Sequence, residues 1–126
     1  MYSKWTDKNM QQVLDRATER ALRKIGIVIA GQSILMAPVQ TGRLRGSITY
    51  ATQTDRSDAK IKGDEVSRPT DKYTLHIGTN IEYAPYCEYG TKNMGAQPFL
   101  RPAFDRNKKN AQKIYADEIK AALRGK

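Results

Sequence analysis

Between Asp7 and Met36 the apolar residues recur at steps of three and four: Met10, Val13, Leu14, Ala17, Ala21, Ile25, Val28 and Ile29, with Gln32 continuing the spacing. At 3.6 residues per turn these positions line one face of a helix. Asp15, Arg16, Glu19, Arg20, Arg23 and Lys24 fall on the other face. Thr6 is placed to cap the start, and Pro38 cannot continue the ladder, so the spacing predicts a helix over 7–36. At ~1.5 Å per residue it is roughly 45 Å long, more than a small domain needs for its own core. Gly26 and Gly31 interrupt it, each at a cost of about 1 kcal/mol. They mark either a tolerated kink or the close approach of another backbone, and both readings stand.

The rest of the chain must be built around that rod. Its 126 residues suit a single domain over 1–126. Residues 37–46 are rich in breakers. Ser47 to Thr54 alternates and is rich in β-formers, and Lys72 to Thr79 alternates again, so two antiparallel strands are expected. Residues 55–71 are polar, with Ile61 and Val66 the only large apolar side chains, and read as a loop or mobile arm. Residues 80–98, dense in Tyr, Pro and Gly, fit no long element. A second helix is expected from Pro98 to Leu123, on the stripe Leu100, Phe104, Ala111, Ile114, Tyr115, Ile119 and Ala122. The fold class is α+β: a small antiparallel sheet with a long N-terminal and a C-terminal helix packed on one face.

Enzyme chemistry finds few candidates. Cys87 is the sole cysteine and His76 the sole histidine, which excludes a disulfide scaffold and argues against a structural zinc site. Cys87 reads as a buried structural thiol and His76 as an ordinary strand position. The acids of 55–71 alternate with Arg56, Lys60, Lys62 and Arg68, which describes a solvated loop and not a metal cage. No phosphate loop is present. The expectation is no catalytic residue, no metal and no cofactor. No apolar run is long enough for a membrane span, and the first residues lack a signal-peptide block.

Charge and tyrosine carry more information. The net charge is +9, and the surplus sits in the two terminal segments. Such a balance is compatible with contact to DNA phosphates, although no DNA-binding motif appears. Tyr83, Tyr86 and Tyr89 recur every three residues around Pro85. That spacing sets the rings along one side of a tight helical turn. They either cover an end of the core or form a subunit interface, and tyrosine suits both. With Arg101, whose planar guanidinium can pair across an interface, and with Ile61 and Val66 on the polar arm, they make up the candidate interface.

Three ordered stretches resemble one family. They are 37–48 (Ala-Pro-Val-Gln-Thr-Gly-Arg-Leu-Arg-Gly-Ser-Ile), 77–91 (Ile-Gly-Thr-Asn-Ile-Glu-Tyr-Ala-Pro-Tyr-Cys-Glu-Tyr-Gly-Thr) and 96–103 (Ala-Gln-Pro-Phe-Leu-Arg-Pro-Ala). Together they are similar to the tailed-phage family named for phage HK-ninety-seven gene product ten. Gln40, Cys87 and Gly95 depart from its usual Asp, aliphatic residue and Pro. The resemblance implies a structural virion protein without enzymatic activity, forming a ring in the neck, the head–tail connection or the tail completion layer. It implies six- or twelvefold symmetry, and connector and tail-terminator or tail-tube proteins as neighbours. It also implies assembly in the bacterial host cytoplasm. DNA in the channel, met without sequence specificity, is a further expected partner; a basic accessory protein contacting packaged or ejecting DNA is the alternative reading.

Overall fold

A computed structural model describes residues 7–37, 42–81, 83–90, 95 and 98–125. Helix α1 (Asp7–Met36) is followed by a short helix α2 (Arg43–Ser47), strands β1 (Thr49–Ala51) and β2 (His76–Gly78), helix α3 (Ala84–Tyr89) and helix α4 (Leu100–Gly125). Thr6 and Pro38, expected to start and stop α1, lie outside the described residues.

Helices α1 and α4 pack antiparallel. Arg20 and Lys24 both reach Glu118, at 3.1 and 2.7 Å, while Ile25 and Ile29 meet Ala103 near the other end of α4. Leu75 and Ile77 from the β2 side close this layer. A second cluster continues it, where Ala30 and Ala37 join Leu44, Ile48, Ala84 and the fully buried Phe99. One antiparallel pair makes the sheet, in the register Thr49↔Gly78, Tyr50↔Ile77, Ala51↔His76. The strands are shorter than the alternation at 47–54 and 72–79 suggests. Two-residue periodicity reports which side chains face the core, and it persists past the point where the ladder ends.

The glycines of α1 divide. A Cβ on Gly26 would stand 2.8 Å from both Cβ and Cγ of Tyr50, so the missing side chain lets β1 lie against the helix. A Cβ on Gly31 would meet nothing within 4 Å among the described residues. The close approach therefore belongs to Gly26, and it is made by a strand side chain.

The breaker-rich connection runs into a short helix. Residues 43–47 form α2 behind Gly42 at φ 70°, and Arg45 clamps it to the end of α1 through two bonds of 3.2 Å from Nε and Nη2 to the Ala37 carbonyl. Segment 55–71 is also bonded to the body. Ser57 N–H donates to Tyr50 O, Lys60 N–H to Gly46 O and Val66 N–H to Thr49 Oγ1, and Glu65 bridges to Thr79. Asp64 corrects the view of this segment as wholly solvated. It is buried, and Arg43 donates to both its oxygens at 3.0 Å, the planar guanidinium matching the carboxylate fork.

That pairing sets a pH dependence. The Arg43 hydrogen bonds hold the Asp64 carboxyl below its ordinary value of 3.8, and Lys24 with Arg20 does the same for Glu118, ordinarily 4.5. Both folded values are depressed, so this stability is fully present above the unfolded values. It drains away as pH falls through them toward the folded ones. We expect Asp64→Asn to flatten the acid limb of the denaturation midpoint against pH below about 4.5. A variant with the same acid limb as the parent would show that the pair does not set acid sensitivity.

Candidate functional site

The site begins with a turn that glycine and proline frame. Pro85 sits in the first turn of α3, where its missing N–H costs nothing. Gly90, at φ 80°, ends the helix with its N–H on the Tyr86 carbonyl at 2.8 Å. Tyr86 and Tyr89 stand out from this short helix, 57% and 70% exposed. Tyr83 does not share their setting; it is half-buried and packs on the cluster around Phe99. Cys87 belongs to α3, but its side chain is outside the described residues.

Glu88 holds the turn in place. Its side chain is buried, and Oε1 accepts the backbone N–H groups of Phe99 and Leu100 at 3.0 and 2.9 Å, while Oε2 accepts that of Arg101 at 3.1 Å. The first N–H groups of a helix have no partner within it, and the helix dipole favours an anion there. A capping residue usually supplies the acceptor from just before the helix; here a carboxylate from α3 serves α4. Tyr86, Tyr89 and the first turn of α4 are thus fixed relative to one another. Arg101, held to Glu88 by its backbone N–H, has an exposed side chain that forms no ion pair among the described residues. A groove of about 470 Å³ runs along this corner, lined by Thr79, Asn80, Pro85, Glu88, Tyr89 and Leu100.

The other candidate residues lie elsewhere. Ile61, 49% exposed, and half-buried Val66 belong to the 55–71 segment, and Val66 lies against Gly78 of β2. Among the described residues no hydrogen bond links that segment to α3 or α4. His76 is an edge of the sheet with its Nδ1 2.8 Å from the Ser67 carbonyl, which makes Nδ1 the donor. Among the described residues no cluster of His, Cys, Asp and Glu converges as a metal site, and no helix is long and apolar enough to cross a membrane.

Sequence reasoning missed Glu88, although a signal exists. No Ser, Thr, Asp or Asn stands at 98 or 99, ahead of Leu100, so the N–H groups of a helix starting there require an acceptor from elsewhere in the chain.

No curated protein and no solved structure matches the chain. A family model described as "Bacteriophage HK97-gp10, putative tail-component" matches residues 5–90, about two-thirds of the sequence. The match runs from α1 through α3, taking in the first resembling stretch and all but the last residue of the second, with Arg43, Arg45 and Glu88 among its residues. With that match over most of its length, the chain belongs to the HK97-gp10-like family of structural bacteriophage tail components.

Proposed function

We propose that the protein is a ring-forming subunit of the neck, head–tail connection or tail completion layer of the virion. Its work is to join heads to tails, without catalysis. The ring follows six- or twelvefold symmetry and meets connector proteins on one side and tail-terminator or tail-tube proteins on the other. The observation that supports this most is the corner at Glu88. It presents exposed Tyr86 and Tyr89, and Arg101 without an ion pair among the described residues, on one junction, and tyrosine and arginine are the residues that anchor protein interfaces. A patch whose complement lies elsewhere on the same surface makes a heterologous contact, which closes into a ring when its rotation permits. Ile61 and Val66 extend the interface from the 55–71 arm, which Val66 also seats against Gly78 of the sheet. Tyr83 contributes from beneath, as the packing on which the turn rests.

The triple variant Tyr86→Ala, Tyr89→Ala, Arg101→Ala tests the reading. Exposed substitutions leave stability within about 0.5 kcal/mol each, whereas interface anchors contribute about 2 kcal/mol or more apiece. We expect an unchanged circular dichroism melt, a monomer in native mass spectrometry where the parent gives closed rings, and failure to complement a deletion phage. A parent that stays monomeric, together with full complementation by the variant, would refute the proposal.

A further inference from the structure

The excess charge has a definite location on the fold. On α1 the outward cations are largely neutralised: Arg20 and Lys24 pair with Glu118, and Arg23 approaches Asp55 at 3.8 Å. Helix α4 differs. Arg106, Lys109, Lys113, Lys120 and Arg124 are all exposed, and none forms an ion pair among the described residues. Their spacings of three, four, seven and four keep them on one side of the helix, and Arg106 and Arg124 are separated by five full turns. The result is a straight stripe roughly 27 Å long. Its one interruption is Asp117, at the edge.

The composition of the stripe discriminates between polyanions. A stable protein contact needs apolar or aromatic anchors in a desolvated centre. Of the exposed apolar residues of α4, Phe104 and Tyr115 project from another side of the helix, and Leu123 borders the stripe only at its C-terminal end. Between the cations stand Asn110, Ala116 and Asp117, which offer no such anchor. A regular line of long, flexible cations without anchors matches a phosphodiester backbone, whose contacts position a protein without reading sequence. We infer that the stripe Arg106–Lys109–Lys113–Lys120–Arg124 on α4 is a binding surface for duplex DNA, engaging phosphates without sequence preference. This is a second activity of the same subunit and does not depend on ring formation.

Fluorescence anisotropy of the full-length protein with a labelled mixed-sequence duplex tests it. If about four phosphates are engaged, binding should weaken roughly 150-fold between 50 and 200 mM salt, because log K falls by about 0.9 per phosphate for each decade of salt. Lys109→Gln, Lys113→Gln, Lys120→Gln should flatten that slope by nearly three units with the helical signal unchanged. The charge-matched control Arg16→Gln, Lys62→Gln, Arg68→Gln, on exposed cations outside α4, should bind like the parent. Equal loss in the control would overturn the assignment, as would no duplex binding at 50 mM salt. Retention on poly-glutamate without binding to the duplex would overturn it in favour of an acidic protein surface.

Discussion

Replacing Glu88 with alanine is expected to lower stability by about 3 kcal/mol, since the change strands three backbone donors at the head of α4, one of them on the fully buried Phe99. A hydrogen bond to a charged group contributes about 1.5–3 kcal/mol, and a buried donor left without a partner costs about 1–3 kcal/mol. The bonds share one carboxylate, so the sum is well below three independent values. For a chain of this size the loss corresponds to a melting temperature lower by roughly 10 °C. Glu88→Gln keeps one acceptor oxygen and turns an amide NH₂ toward a backbone N–H, so it should fall between alanine and the parent. Thermal melts followed by circular dichroism measure both. If alanine melts within a degree or two of the parent, the clamp contributes no stability and the rigidity of the tyrosine corner has another source.

The glycines of α1 should respond with opposite signs. Alanine in place of glycine inside a helix gains up to about 1 kcal/mol where space allows. A methyl at Gly31 would meet nothing within 4 Å among the described residues, so Gly31→Ala should stabilise by about that amount. At Gly26 the new methyl would meet Tyr50 Cβ and Cγ at 2.8 Å, atoms next to the backbone of a paired strand that cannot swing aside. Overpacking of this kind costs ~1–3 kcal/mol and exceeds the propensity gain. We expect a net loss of about 1–2 kcal/mol, read as a lower urea midpoint at unchanged slope. A stabilised Gly26→Ala would mean that β1 does not lie on α1 at this point.

The same two glycines show where sequence reading stops. Periodicity located α1 almost to the residue, and α4 within two, because an apolar stripe is written in the order of the residues, although Phe104 and Tyr115 of the expected α4 stripe stand exposed. It could not separate Gly26 from Gly31, since the difference is the position of Tyr50, which lies 24 residues further along the chain. A short element escaped for a related reason. Helix α2 has five residues, too few to display a period, and sits behind a glycine that marks a loop, whereas the tyrosine spacing pointed to the turn of α3. Asp64 was read among its neighbours as one more solvated charge, and only its meeting with Arg43 sets it apart. The tyrosine turn was legible as a cluster. That Tyr83 packs inward while Tyr86 and Tyr89 face out follows from where α3 lies on the core.

The antiparallel seating of α1 on α4 also bears on how the chain is made. Arg20 and Lys24 find Glu118 at separations of 98 and 94 residues. On a ribosome adding about 5–20 residues per second, the first helix waits roughly 5–20 s before its partner exists. During that interval its inner face is open to any other apolar surface. Beyond the half-buried Met10, Val13 and Leu14, that face narrows to Ala17, Thr18 and Ala21, small groups with little to offer a stray partner. The larger Ile25 and Ile29 come later in the helix and are covered at their α4 end by Ala103, a shorter wait than Glu118 imposes. Nascent chains should therefore tolerate slow translation through the 55–71 stretch better than a substitution such as Ala17→Leu, which would make the waiting helix adhesive.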